Sequence, residues 1–314
     1  MLRNYPMLNK NSYILLFILA LCTLSVFVSF FQISTFPSQS KKRFLSTQSK
    51  ILVVNIEGVI QSEVSKDKLS FSDNSSHRAL VSLQQAAYTA NIKGVLIRIN
   101  SPGGTVGASQ ELYNAISRIR KSKKYVVVSI ADIGASGGYY TASAANYIFA
   151  NKGSLVGSIG VIMHGFNLEE LFKKVGIEDK TFKSGLYKDI MSYSRESTPV
   201  EKEMIQSMLD EVHNQFISDV LAYRKEKITN IDSVSQGQIF TGSQALSLGL
   251  IDGLGGEIEA LEYLSKKLGI KLTESTVVYE KGSFWERLLS EVGMDSKVTS
   301  LLKLLNLLNY KVIL

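Results

Sequence analysis

Residues 95–104 read Val-Leu-Ile-Arg-Ile-Asn-Ser-Pro-Gly-Gly, and the fold is decided there. Val95 to Ile99 is a short, β-branched run, apolar except at Arg98, and predicts a buried strand. Ser101-Pro102-Gly103-Gly104 ends it as a turn, since proline fixes φ and glycine accepts conformations closed to other residues. Val106 to Arg120 then follows with helical spacing. The plan repeats at once: a strand over Tyr125–Ile130, a turn over Gly134–Gly138 and a helix over Tyr139–Ala145. It is preceded by a strand at Ile51–Ile56 and a helix over His77–Asn91, with Leu80, Leu83, Ala87 and Ala90 on one face. Serial strand–turn–helix units predict an α/β fold whose parallel strands are joined by right-handed crossovers. In such sheets the turns at the carboxyl ends of strands gather around one crevice, so the two Gly-rich turns should meet there.

Further along, Pro199–Arg224 predicts a long helix, followed by short helices around Ser243–Leu248 and Gly256–Leu268 and a late strand at Thr276–Tyr279. Ser62–Ser76 is polar and without period, and reads as a loop. Four segments result: an anchor over 1–33, a Ser- and Lys-rich tether over 34–50, the main α/β domain over 51–280 and a Leu-rich tail over 281–314. The tail suits packing on its own domain or contact with a membrane or another subunit.

The anchor rests on Tyr13–Phe31, an apolar run with no charge between Lys10 and Lys41. A bilayer-spanning helix needs roughly 20 such residues. The following Gln32-Ile33-Ser34-Thr35-Phe36-Pro37 lacks the small-x-small pattern of a cleavage site, so the span is expected to be retained. Basic residues flank it on both sides, and charge leaves its orientation open. The net charge of +7 has the same origin. Residues 1–50 hold six basic residues and no acid, leaving 29 basic against 28 acidic residues in 51–314. No footprint for nucleic acid remains. Cys22 is the only cysteine, His77, His164 and His213 are scattered, and neither a metal nor another cofactor is expected.

Gly134-Ala135-Ser136-Gly137-Gly138 places a serine where a strand turns into a helix, with its hydroxyl exposed near the helix's positive end. The plainer reading is a helix cap. Asn100–Gly104 offers unshielded backbone N–H groups suited to an oxyanion hole, although a simple Pro-Gly turn has the same composition. Neither phosphate-binding glycine pattern is present, which disfavours a nucleotide. A serine nucleophile needs a base, and His164, Lys183 and Lys188 are all candidates. A lysine serves only when neutral, which takes a pKa roughly three units below about 10.4, or about 4 kcal/mol of desolvation.

Five segments in order also resemble one family. They are Asn100–Gly104, Ala135–Tyr140, Gly157–Met163, Lys183–Asp189 and Ile239–Asp252, and they resemble the bacterial signal peptide peptidase (SppA) family in its short, single-copy form. The resemblance covers roughly residues 50–280. It implies a ClpP/crotonase-like fold of repeated ββα/βα units, and a serine peptidase with Ser136 as nucleophile and Lys188 as general base. It assigns Ser158 to orienting the lysine, and the oxyanion N–H groups to Gly103 and Gly137. It further implies a homo-oligomer, peptide substrates such as remnant signal peptides, and a catalytic domain on the extracytoplasmic side of the cytoplasmic membrane. Three residues depart from the family pattern. His164 lies where no catalytic histidine is expected, Gln238 replaces an arginine and Tyr193 replaces a proline. Two other classes use such a fold: a crotonase-type acyl-CoA enzyme and a non-catalytic membrane scaffold.

Overall fold

The computed structural model describes residues 48–62 and 75–280. The expected span Tyr13–Phe31, the tether up to Thr47 and the Leu-rich tail lie outside the described residues, as does most of the expected Ser62–Ser76 loop. Among the described residues no helix is long and apolar enough to cross a membrane.

The expected units are present. Strand β1 (Lys50–Glu57), helix α1 (Ser75–Tyr88), β2 (Ile92–Ser101), α2 (Val106–Lys121), β3 (Tyr125–Ala135) and α3 (Gly137–Ser143) follow one another, and the strands pair in parallel as β1–β2–β3. Alternate residues of β1 serve two cores. Leu52, Val54 and Ile56 join Leu83, Leu112 and Ile116, contributed by α1 and α2. Ile51 and Val53 face the other way, onto Leu96, Val127 and Leu264. Apolar side chains on both faces of a strand are what a parallel sheet covered by helices requires.

β3 differs from its expected length for a reason that matters to the site. The strand runs on through Asp132-Ile133-Gly134-Ala135, because its two halves have different neighbours on one edge. Val127–Ile130 pair with β4 (Tyr147–Ala150), while Ile133–Ala135 pair with β5 (Leu155–Gly157). Only Ser136 then separates strand from helix, and the five-residue turn expected there is absent. β5 continues to β6 (Ile239–Thr241) in an antiparallel ladder, and β4 pairs with β7 (Gly253–Leu254). β8 (Val277–Tyr279) closes the opposite edge against β1.

Helix α4 (Glu169–Val175) was not expected, while α5 (Pro199–Arg224), α6 (Gly242–Ser247) and α7 (Glu257–Leu268) were. Thr198 caps α5 in a capping box with Glu201, with Pro199 in the first turn where its missing N–H costs nothing. Arg224, fully buried at the other end of α5, pairs with Asp252 at 2.9 Å and donates to the Gly249 carbonyl at 2.7 Å. Burial acts to raise the Asp252 carboxyl, but this pairing and the exposed Lys227 outweigh it and hold the group below its ordinary carboxylate range.

Candidate active site

Ser136 has φ +50° and ψ −121°, a conformation that costs a residue with a side chain on the order of 1–3 kcal/mol. Two backbone bonds hold it there: its N–H donates to Gly157 O, and its own carbonyl accepts from Tyr140 N, both at 2.8 Å. Its hydroxyl makes no capping bond to α3, so the helix-cap reading fails. The side chain has no hydrogen-bond partner among the described residues and lines a cleft of about 600 Å³, together with Gly104, Gly137 and Ser158. The facing wall comes from α5, with Gln206, Leu209, His213 and Phe216.

The two Gly-rich turns meet as expected, and the contact leaves no room for side chains. Gly103 has φ +110°, and a Cβ there would lie 2.8 Å from both Gly137 N and Ser136 Cβ. A Cβ on Gly137 would run into Ser109 Oγ and stand 3.2 Å from Gly104 N. The two amides to which the resemblance assigns the oxyanion, Gly103 and Gly137, differ in their partners. The Gly103 N–H already donates to Ser101 Oγ at 3.1 Å. The N–H groups of Gly104 and Gly137 have no partner among the described residues, and both residues line the cleft. Gly104 is turned this way by Ile60, whose N–H donates to Gly103 O and whose carbonyl accepts from Thr105 N.

Ser158, at φ +52°, follows β5 as Ser136 follows β3. Its N–H donates to the Gln238 carbonyl at 2.7 Å. The departure at Gln238 therefore leaves this backbone contact in place. Its side-chain oxygen accepts from Gln236 N at 2.9 Å and stiffens the same loop. Tyr140 packs edge-on against Phe216 with ring centroids 4.7 Å apart, and its hydroxyl donates to Asp219, joining α3 to α5. Burial, reinforced by Asp219, pushes this phenol well above its ordinary range, so it stays a proton donor.

The candidate bases are elsewhere. Lys188, Lys183 and His164 do not line the cleft. His164 is exposed, its ring packed edge-on against Phe166 at 5.0 Å. Lys183 is tied to Asp189 in an ion pair of 2.6 Å. Lys188 is exposed on a run of tight turns over 185–192 and has no ion-pair partner among the described residues. The histidine that does line the cleft is His213, which sequence reasoning passed over. Its Nε2 lies 2.7 Å from the Ser235 carbonyl, and because a carbonyl only accepts, Nε2 carries the proton. Among the described residues no cluster of histidine, cysteine or acid could hold a metal.

The model of peptidase family S49 matches residues 118–271, and that of the Clp proteases matches 68–149. A protease-named protein of Synechocystis sp. is 41% identical over 225 residues, covering 72% of this chain and 76% of the relative. The chain belongs to peptidase family S49. An Enterococcus faecium relative named as a signal peptide peptidase, SppA, is 32% identical over 236 residues, covering 75% of this chain and 68% of that one. Among solved structures, a serine-to-alanine variant of the membrane-bound stomatin-specific protease 1510-N superposes with a TM-score of 0.46 at 18% identity. That superposition covers 75% of this chain and 99% of the other. The S49 membership makes the chain a serine peptidase with a mixed α/β fold.

Proposed function

We propose that this S49 peptidase is a membrane-anchored endopeptidase whose Ser136 is activated by Lys188 of a second copy of the chain. The observation that carries the reading is the uncapped Ser136 at positive φ beside two amides without a partner among the described residues. Its Oγ attacks a peptide carbonyl while the neutral Lys188 amine takes the proton. The developing oxyanion is bound by the N–H groups of Gly104 and Gly137, each worth about 3 kcal/mol in the transition state. The protonated lysine returns its proton to the leaving amine, then activates water to release the acyl group. Ser158 accepts a hydrogen bond from the amine and keeps it in line.

A second copy is invoked because of where Lys188 sits. The arm over residues 161–198 carries Ile162, Phe166, Phe182 and Leu186, each more than two-thirds exposed, and Lys188 lies two residues beyond the last of them. Side chains of this kind on an extended arm favour burial against another subunit. The cleft's apolar lining, including Val106, Ile162, Leu209 and Phe216, suits apolar peptides such as signal peptide remnants. Tyr13–Phe31 would hold the enzyme where those remnants lie, with its catalytic domain outside the cytoplasmic membrane. Acyl-CoA chemistry finds less support, because the cleft presents a free serine on a strained turn.

One observation favours a second reading. His213 lines the same cleft with its Nε2 engaged by the Ser235 carbonyl, which leaves Nδ1 as the ring atom available to act as base within one chain. Single alanine variants decide between the two. Lys188→Ala is expected to abolish peptide hydrolysis with the fold intact, while His213→Ala and His164→Ala stay active. An active Lys188→Ala enzyme would remove the dyad.

A further inference from the structure

Asp189 follows Lys188 directly, and its carboxylate lies at the centre of the largest charged network among the described residues. Arg195 grips it with two parallel bonds, from Nε to Oδ2 and from one terminal nitrogen to Oδ1, both 2.9 Å. The same guanidinium makes a second fork on Glu201, at 2.6 and 2.9 Å, and donates to Glu196 O at 3.1 Å. Glu201 is buried in the first turn of α5, where its carboxylate also accepts the Thr198 N–H at 2.8 Å. Lys183 completes the set on Asp189 at 2.6 Å. Around this centre, Lys202 pairs with Glu196, Lys173 with Glu169 and Glu170, and Asp179 accepts from Ser194 and Thr181.

Two consequences follow for the neighbouring lysine. A guanidinium forked on both sides fixes the direction of the 185–192 turns relative to α5, which a single flexible ion pair would not. An unpaired carboxylate beside Lys188 would favour the ammonium form, which cannot act as a base. Here that carboxylate is matched by two cations. We propose that Arg195, clamped between Asp189 and Glu201, is a positioning residue for catalysis: it aims the Lys188 turn and cancels the Asp189 charge that would keep the lysine protonated. The proposal rests on Lys188 being the base.

The test compares pH–rate profiles of Arg195→Ala and Asp189→Asn, with assembly confirmed by native mass spectrometry and Lys188→Ala measured alongside. Arg195→Ala should lower kcat about 100-fold with little change in KM. It should also move the acid limb of kcat up by about one pH unit, since Asp189 is then under-compensated. Asp189→Asn leaves Lys183 and Arg195 in excess and should move the limb down by about one unit. Free guanidinium should restore part of the Arg195→Ala rate. If Arg195→Ala fails to assemble, the near-isosteric Asp189→Asn carries the test through its downward limb alone. Unmoved limbs in assembled variants, with Lys188→Ala inactive, overturn the positioning role and leave the dyad standing. An active Lys188→Ala enzyme overturns the dyad itself.

Discussion

The two halves of the proposed dyad sit in regions held together by different forces. Ser136 lies at the end of a central strand, with Gly157, Gly103 and α3 packed around it and the sheet buried on both faces. Lys188 sits on an arm that buries almost nothing in this chain and is fixed by ions, above all Arg195 with Asp189 and Glu201. The proposed nucleophile is thus held by packing within one chain, which can store backbone strain. The proposed base is placed by polar contacts on a surface that, under the proposal, a neighbour completes. Substitutions in the first region should therefore alter chemistry in any assembly, and those in the second should act through assembly and pH.

The largest effect belongs to the serine. Ser136→Ala should lower peptide hydrolysis by on the order of 10⁴-fold or more and abolish labelling by a serine-directed probe, with unchanged thermal unfolding. Gly137→Ala should cost about 10²–10³-fold in kcat, because the added methyl strikes Ser109 and displaces the amide opposite Gly104. Steady-state kinetics on a short peptide would show this with KM nearly constant.

On the arm, Phe182 is 97% exposed, and Phe182→Glu should leave the unfolding of the sheet unchanged. It should weaken self-association by about 2 kcal/mol, or about 30-fold in Kd, as read by sedimentation across a concentration series. A monomer–monomer equilibrium unaffected by that charge would place the contact elsewhere. pH sharpens the contrast further. Arg195 holds Glu201 down at about 2, and Arg195 with Lys183 holds Asp189 well below its ordinary range. Groups with depressed values stabilise the folded arm above their unfolded pKa, and that stability goes as pH falls through the folded value. Hydrogen-exchange protection over 176–198 should be full above about pH 4.5 and decline towards pH 2, before the β1–β2–β3 ladder opens. The smallest effect is expected at His213, where alanine should change the rate less than about threefold, its role being a hydrogen bond to the Ser235 carbonyl.

The same contrast explains what was legible in the sequence. The β1–β2–β3 core announced itself, because strands buried on both faces read as continuous β-branched runs. β4, β5, β6 and β7 span only two to four residues, too few for a period to register, and they are fixed by the ends of β3. Glycine spacing located Ser136, but it could not say which N–H of the Gly103–Gly104 pair is free. That depends on the Ser101 hydroxyl and on Ile60, 43 residues upstream of Gly103. Nor could spacing place His213 in the cleft or separate Lys183 from Lys188, since the ion pair to Asp189 is a tertiary contact. The arm's exposed apolar residues obey no period of their own fold, as the proposed contact with another chain would require.

Mixing two dead enzymes tests the shared site most directly. Ser136→Ala and Lys188→Ala, each purified as inactive assemblies, would be combined under conditions of subunit exchange and assayed for peptide hydrolysis. Activity should return, since a neighbour can supply Lys188 to an intact Ser136. Mixed assemblies that form by native mass spectrometry yet stay inactive would contradict a site shared between copies.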